Sequence, residues 1–596
     1  MTVASPSEPR PDAPEGTGSG SGSGSGAAGL WWLTATLLLL VLGAVLPLVI
    51  AGRAGALHIP RSDDWSYLTT LFRWTDGNGL DFNNWVSMTL VGQLALAAPV
   101  AGLAHNSIGA VRIEVALIGV GGLLATYWLG VQVIGRRGAA LLVAATVALG
   151  PLWGPLAATF MTDVPTFAIQ TLAAAIAVVG LRRPERRTVA LIGAVAIGFL
   201  GISIRQYAVV PVGAILLAYA LVAWRTRDRR LFVTVLTVGG AVVVATGALL
   251  LWWSGIPHPL TNAPIRPTPG SLREALVRGI GYGRLVGLLL APVIVWAGPV
   301  RIVRRAWAAG HALTIAVAGI AAVALAGAYG VLGADSFVGN YVHPRGVLGD
   351  DVLAGFRPLI MPTMLWRLVV LAGSLGAIVL ALAVVPWLHE LPVRLRARDL
   401  DSVDPIALMM VLTLVGLWCA YLLTDTLQIN RFPIFDRYAL GGLPLVAVLL
   451  LRSARDRGAD APETARRIGT AVALVLLAAL GLTFTIDSAH YDATRWRLGL
   501  ATVDAGYPLR DIDGGFEWVA WHDGRARPIL DTVAAREASR KRFLAGRCVT
   551  IAVNPTHLPP ADRLIAKARY TSPLRSPVWI VAGRNARECR IPPRMP

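Results

Sequence analysis

Apolar runs of about 17 to 24 residues recur along almost the whole chain, and this repetition limits what the chain can fold into. Such a run crosses roughly 30 Å of hydrocarbon as a helix that rises about 1.5 Å per residue. Hydrophobic residues make up 55% of the 596 residues and charged residues only 15%, a balance that a water-soluble core could not hide. The ten-residue alternation of membrane β-barrels is not visible. The sequence therefore predicts an all-α polytopic membrane protein.

The apolar runs predict about thirteen crossings within a transmembrane domain, residues 29–486. These lie at about 29–51, 111–134, 138–156, 164–181, 188–204, 207–224, 231–253, 284–300, 311–333, 366–388, 405–424, 437–451 and 468–486. A less apolar run, Met88–Ala104, contains Gln93 and Pro99 and is interpreted as a helix lying in the outer interface. The predicted outer loops are 52–110, 254–283, 334–365 and 425–436.

The arginines indicate how the chain is oriented. The formal net charge is +19, but most arginines flank apolar runs in clusters such as Arg182–Arg187, Arg225–Arg230 and Arg394–Arg398. Under strict alternation every such cluster in the membrane region falls on one side, as the positive-inside rule requires. We therefore expect a multi-pass protein of the cytoplasmic (plasma) membrane with an extracytoplasmic C-terminus. Residues 1–28 are predicted to be a disordered cytoplasmic tail, and the charge pattern does not favour a nucleic-acid partner.

The C-terminal segment, residues 487–596, is predicted to form a small α/β extracytoplasmic domain. Its short strand-like runs include Cys548–Val553 and Val578–Ala582. Cys548 and Cys589 both fall in this segment, where the environment oxidises thiols, so a disulfide between them is predicted. The alternative is two unpaired buried thiols.

An acidic pair, Asp63 and Asp64, follows the first crossing and begins a segment of interfacial helix character that includes Tyr67. One reading is structural, because aspartate caps helix starts and favours the positive end of the helix dipole. The other is chemical: a partly buried carboxylate facing a cavity acts as a general base on an acceptor hydroxyl.

Two further polar groups interrupt the apolar pattern on the same predicted side. Asp163 lies in the short loop Thr162–Pro165, where capping of the next helix is an alternative explanation. Arg205 and Gln206 separate two crossings; a membrane-embedded arginine suggests function, and snorkelling to headgroups is the competing reading.

The segment before the crossing at about 437–451 carries two arginines, Arg431 and Arg437, where positive charge is otherwise rare. Arginine forks match phosphate oxygens, so a lipid phosphate or pyrophosphate is a natural partner. Pairing of Asp436 with either arginine could explain part of this pattern without a ligand. A fifth polar cluster, in the long outer loop, contains Tyr341, His343, Arg345, Asp350 and Asp351, and the chain has no zinc-type spacing.

No Walker A motif, nucleophile elbow or dinucleotide-binding fingerprint occurs. ATP-driven transport and nucleotide-sugar chemistry on the cytoplasmic side therefore lack support in the sequence. If the protein uses a donor substrate, we expect that donor to come through the lipid.

Taken in order, these residues resemble the GT-C superfamily of polyprenyl-phosphate-sugar-dependent glycosyltransferases. The resemblance rests on the acidic pair, the sequence Arg136–Ala140, the Thr162–Pro165 loop, the Arg-Gln pair and the late Asp-Arg-Tyr-x-Leu, Asp436 to Leu440. The resemblance covers roughly residues 29 to 451. Within the superfamily, the chain is similar to protein O-mannosyltransferases and the lipid A aminoarabinose transferase.

The resemblance implies an inverting transfer of a sugar (hexosyl or pentosyl) from a polyprenyl-phosphate donor to an envelope glycan, lipid or protein at the outer face. It makes Asp63 or Asp64 the base. Asp163 would orient the acceptor or a divalent metal (Mg or Mn), which some members use and others do not. The residues that would bind the donor and its phosphate are Tyr67, Arg205, Gln206, Arg431, Arg437 and Tyr438.

Two other functions are compatible with a polytopic membrane protein that handles lipid-linked sugars. A transporter or flippase of lipid-linked sugars would be expected to have inverted repeats and broken helices, and the sequence shows neither. A ligase or polymerase of lipid-linked glycans would differ mainly in its acceptor.

Overall fold

The computed structural model describes residues 23–83, 85–256, 269–333, 337–349, 352–353, 355–396, 401–426, 435–455, 463–522, 546–558, 563–585 and 589. Helices predominate up to Asp504, and the four strands of the described chain follow it. The predicted class, an all-α polytopic membrane protein with a small α/β unit near its C-terminus, is confirmed.

The helices are numbered in chain order. The first ten are α1 Ser23–Leu40, α2 Leu46–Ala54, α3 Asp64–Thr75, α4 Val91–Leu103, α5 Ile108–Ile134, α6 Arg137–Leu149, α7 Trp153–Ala157, α8 Asp163–Arg182, α9 Arg187–Ile204 and α10 Val209–Thr226. The other ten are α11 Arg229–Gly255, α12 Pro269–Leu289, α13 Ala291–Ala297, α14 Pro299–Ala309, α15 His311–Leu332, α16 Thr363–Arg396, α17 Pro405–Thr426, α18 Leu443–Arg455, α19 Glu463–Asp504 and α20 Phe516–His522. The strands are β1 Ile512–Asp513, β2 Val549–Val553, β3 Arg563–Ser572 and β4 Arg575–Arg584.

Fewer helices than predicted have the length of a full crossing. Ten helices in the described chain are long and apolar enough to span a membrane, or 11 if the bent pair α12–α13 counts as one span. The other two predicted crossings contain α6 and α18, whose 13 residues each rise only about 20 Å. Helix α6 ends before Gly150 because Pro151 holds that glycine in an extended conformation.

A bend breaks the predicted crossing at 284–300. Helix α12 begins earlier, at Pro269, and meets α13 at an angle of 65° beside Leu290. Pro292 in the first turn of α13 lacks the backbone N–H that would continue the helix. The prediction that the chain lacks broken helices is therefore wrong for this span.

Helix α5 defines two faces of the membrane domain. Near its start lies Arg112, which contacts Asp64, and 22 residues later lies Ile134, just before Arg136. At about 1.5 Å per residue these ends are about 33 Å apart, the thickness of a hydrocarbon core. We call the two sides the Asp63 face and the Arg136 face.

The last long helix, α19, contains the predicted crossing at 468–486 and continues beyond it to Asp504. It has 42 residues and rises about 63 Å, so its final turns extend well beyond a bilayer. These turns support the sheet, whose strand order is β1-β2-β4-β3, with β1 parallel to β2 and the other pairs antiparallel. Trp496 of α19 packs with Trp518 and Ile551 in a separate apolar core. Cys548 and Cys589 form a disulfide.

Buried polar contacts attach the sheet and α20 to α19, and α19 to the segment before α16. Asp487 of α19 accepts hydrogen bonds from Arg357 and from Tyr570 of β3. Farther along the helix, Arg495 donates to Glu517 of α20 at 2.8 Å. Asp487 and Arg495, which follow the end of the predicted crossing, are therefore buried and paired.

Candidate active site

The turn that precedes α3 is held by side chains of two helices, α19 and α20. The Arg61 guanidinium lies 2.8 Å from the Asp492 carboxylate and donates to Ser488 at 2.6 Å. The next residue, Ser62, has a left-handed backbone (φ 54°), and its N–H donates to the Glu517 carboxylate at 3.2 Å. The C-terminal unit thus fixes the backbone immediately before Asp63.

The two adjacent carboxylates of this turn have different surroundings. Asp64 is fully buried, and its Oδ2 accepts from the Arg112 guanidinium at 2.6 Å and from the Phe160 N–H at 3.1 Å. Its Oδ1 accepts from the Arg61 N–H at 2.6 Å. With both oxygens engaged by these donors, the Asp64 carboxylate is the less available of the two.

Asp63 is the accessible member of the pair, with 23% of its side chain exposed. Its Oδ1 accepts a hydrogen bond from the Trp85 indole at 2.8 Å, and its Oδ2 lies 3.3 Å from Nη2 of Arg437. Although Asp63 occupies the N-cap position of α3, its side chain makes no capping bond. Helix capping therefore does not account for this carboxylate.

Arg437 bridges Asp63 to a second, buried carboxylate. Asp163 is 4% exposed and accepts a hydrogen bond from Arg205 through Oδ1. Its Oδ2 lies 3.8 Å from Nε of Arg437, and neither of these two buried atoms has a hydrogen-bond partner. Asp163 makes no capping bond either, because α8 begins at this residue and its N-cap is Thr162. The cluster therefore contains buried polar atoms that a ligand or water could satisfy.

Both arginines of the cluster are buried against aromatic rings. Cζ of Arg205 lies 4.3 Å from the ring centroid of Tyr438, and Cζ of Arg437 lies 4.9 Å from that of Phe435. Burial by itself lowers the pKa of each guanidinium, but Asp163 and the other nearby acidic groups together outweigh it and raise both pKa values. The two arginines therefore remain cationic.

Tyr67 belongs to the same cluster, one helical turn after Asp63. It is buried, and burial together with the Asp63 carboxylate raises the pKa of its phenol well above the ordinary value, despite the opposing charges of Arg437 and Arg205. The phenol therefore stays protonated and can donate a hydrogen bond.

One alternative was that Asp436 pairs with the guanidinium of Arg437. The Asp436 carboxylate instead accepts hydrogen bonds from backbone N–H groups. Its Oδ2 accepts backbone N–H bonds from Asn340, Tyr341 and Val342 at 3.2, 2.7 and 2.6 Å. Burial raises the pKa of Asp436 while these bonds oppose the rise. Asp436 thereby attaches the 340–342 segment to the cluster and leaves the Arg437 side chain to the carboxylates.

The remaining predicted residues are distributed as follows. Gln206 donates to the Ser87 carbonyl at 3.3 Å and supports the loop after α3. His343 accepts from the Arg345 N–H at 3.1 Å through Nδ1. Arg431, Asp350 and Asp351 lie outside the described residues. No group of three or more His, Cys, Asp or Glu in the described chain is arranged to hold a metal ion, and a divalent metal (Mg or Mn) stays an expectation.

Two residues of the cluster were missed at the level of sequence. Arg112 carries a signal, since it is an arginine at the start of a predicted crossing. Trp85 carries none, because a tryptophan in an interfacial loop is ordinary and only the fold aims its indole at Asp63.

Among known proteins, similarity to this chain is found in solved structures. No family model matches the chain, and no curated protein matches it. The crystal structure of ArnT from Cupriavidus metallidurans in the apo state is similar at 14% identity and a TM-score of 0.38, over 94% of this chain and 98% of that chain. The structure of the same protein bound to undecaprenyl phosphate is similar at 14% identity and a TM-score of 0.37, over 96% and 100%.

Proposed function

We propose that this protein is a glycosyltransferase that moves a sugar from a polyprenyl-phosphate donor to an acceptor hydroxyl at the Asp63 face, which we take to be extracytoplasmic. One observation carries the proposal: the buried Arg437 guanidinium lies between an accessible carboxylate, Asp63, and a buried one, Asp163. An accessible carboxylate can accept a proton, and arginine forks bind phosphate oxygens.

In the proposed reaction the acceptor oxygen attacks the anomeric carbon while its proton passes to Asp63. The bond between that carbon and the phosphate oxygen breaks, and polyprenyl phosphate leaves with the electron pair. Attack from the side opposite to the leaving group inverts the anomeric centre. Arg437 and Arg205, both buried and cationic, stabilise the charge that develops on the phosphate.

Arg437 has a second task in this scheme. Because its guanidinium lies 3.3 Å from the Asp63 carboxylate, a donor phosphate would compete for the same N–H groups. Donor binding would thus weaken the Asp63–Arg437 pair and leave the carboxylate free to act as a base. Tyr67, whose phenol is protonated, can donate to a sugar or phosphate oxygen.

A transporter of lipid-linked sugars is the second candidate, favoured by the bend between α12 and α13. Arg284 of α12 is 1% exposed, and it donates to the Ser374 hydroxyl at 3.0 Å and to the Leu325 carbonyl. A buried arginine beside a broken helix suits a transport pathway. These residues pack α12 against α15 and α16, apart from the Asp63 cluster.

The fate of the donor separates the two functions. The full chain would be reconstituted in vesicles with a polyprenyl-phosphate sugar labelled in the sugar, and membrane extract would supply acceptors. A transferase releases the label from the lipid and accumulates polyprenyl phosphate, whereas a transporter leaves the labelled lipid intact and changes its leaflet. Asp63→Asn should abolish release, and Asp81→Asn, at an exposed aspartate in the loop after α3, should not. Label release that is equal in the two variants would refute the assignment of Asp63.

A further inference from the structure

A basic groove lies on the Arg136 face, at the opposite side of the membrane domain from Asp63. It is formed where α5, α6, α13, α14, α18 and α19 meet. Its lining includes Arg136, Arg301, Arg466, Trp296, Ile134 and Leu451. Three guanidiniums therefore line one cleft. No acidic side chain is among the described residues that line it.

Arg466 is the best-defined cation of this groove. Its Cζ lies 4.6 Å from the ring centroid of Trp296, and its Nε is buried with no hydrogen-bond partner. The acidic residue one turn earlier in α19, Glu463, accepts from Arg467 at 2.6 Å instead. Arg466 is thus held in place by an aromatic ring while part of its donor capacity is unused.

The helix next to the groove is amphipathic in the manner of a helix lying in a membrane interface. One side of α14 is apolar: Ile302 and Ala306 are buried against the protein, whereas Val300, Val303 and Trp307 are 61%, 39% and 44% exposed. Its arginines, Arg301, Arg304 and Arg305, lie on the other side by helical spacing. Exposed apolar and aromatic residues beside arginines are typical of the boundary between acyl chains and headgroups.

We propose that this groove binds the phosphodiester headgroup of an anionic phospholipid from the leaflet at the Arg136 face. The guanidiniums supply donors for the phosphate oxygens, and the exposed apolar side of α14 contacts the acyl chains. The distance of about 33 Å along α5 between Arg112 and Ile134 places the groove in the leaflet opposite to the Asp63 cluster. The inference is therefore independent of the proposed transferase activity.

Native mass spectrometry of the full chain in detergent tests this site. Phosphatidylglycerol and phosphatidylcholine would be titrated against the wild-type chain, Arg466→Gln and Arg136→Gln. The wild type should retain phosphatidylglycerol in preference to phosphatidylcholine. Each variant should lower the phosphatidylglycerol affinity about fivefold, the effect expected for one arginine near an anionic headgroup.

Arg467→Gln is the matched control, because Arg467 is adjacent in sequence, carries the same charge and is bonded to Glu463 outside the groove. It should leave the affinity unchanged. An equal loss in Arg467→Gln and Arg466→Gln, equal retention of the two lipids by the wild type, or displacement of phosphatidylglycerol by millimolar inorganic phosphate would each overturn the proposal. Arg136→Gln keeps the test decisive if Arg466→Gln fails to fold, since Arg136 is an exposed residue between two helices.

Discussion

Nη2 of Arg437 lies 3.3 Å from Oδ2 of Asp63, although 374 positions separate the two residues in the chain. The segment between α2 and α3 and the segment before α18 therefore meet at one point. On the far side of the same guanidinium lies Asp163, whose Oδ2 is 3.8 Å from Nε. The proposed chemistry depends on this arrangement of one arginine between two carboxylates.

Replacing the accessible carboxylate should remove activity and spare the fold. We expect Asp63→Asn to lower the rate of sugar transfer by about 10²- to 10⁴-fold, the usual contribution of a general base. Its 23% exposure and its position outside the apolar core predict little change in thermal stability. Single-turnover transfer and the unfolding temperature of the purified variant check both expectations. Full transfer in Asp63→Asn would show that another group takes the proton.

Removing the bridging guanidinium should chiefly affect the donor. Arg437→Gln loses charge-assisted hydrogen bonds, each worth about 1.5–3 kcal/mol, so we expect the donor KM to rise about ten- to a hundredfold. The acceptor KM should stay close to that of the wild type. The measurement is initial rates over a matrix of donor and acceptor concentrations. A variant in which only the acceptor KM rises would place the phosphate elsewhere.

The second aspartate should behave differently from the first. Asp64 and Arg112 are both fully buried, and breaking such a pair from one side costs about 3–5 kcal/mol because an unpaired charge is left inside. Arg112→Met should therefore lower the unfolding temperature strongly, and the double variant Arg112→Met/Asp64→Asn should recover part of the loss. Thermal unfolding in detergent measures this coupling. Additive losses in the double variant would argue against a direct pair.

Glu517 should make the stability of the C-terminal unit depend on pH. Burial raises the pKa of Glu517 from an ordinary value of 4.5 to about 7, even though Arg495 opposes the rise. Between these two pH values the folded chain binds more protons than the unfolded chain, so this residue contributes a stability that falls as the pH rises. Glu517→Gln should flatten that slope. Unfolding temperatures at several pH values from 4.5 to 7.5, compared between wild type and variant, isolate the contribution; identical slopes would contradict it.

Much of the architecture could be predicted from apolar periodicity, because a crossing is a local property of about 20 residues. The breaks were harder to predict. Pro151 and Pro292 are plain in the sequence, yet whether a proline kinks a span or ends it depends on the helices packed around it. The continuation of α19 past residue 486 was hidden because its charged residues are buried only through partners such as Arg61 and Glu517, which come from distant parts of the chain.

The candidate site was predicted as a set of residues and not as a geometry. The positive-inside rule assigned the basic clusters to one side of the membrane. The loops that carry Asp63, Asp163, Arg205 and Arg437 were thereby predicted to share the other side, without any knowledge of contacts. The division of roles between Asp63 and Asp64 could not be predicted, since successive residues of a helix point about 100° apart and the fold decides which one meets Arg112.

Helix α19 carries Arg466 near one end and Asp492, the partner of Arg61, 26 residues farther along, a rise of about 39 Å. A single rod therefore joins the basic groove to the turn that presents Asp63. Trp296 contacts Arg466 near one end of this rod, and Arg61 contacts Asp492 near the other. The depth of the groove and the depth of the turn in the bilayer are therefore set by the same helix.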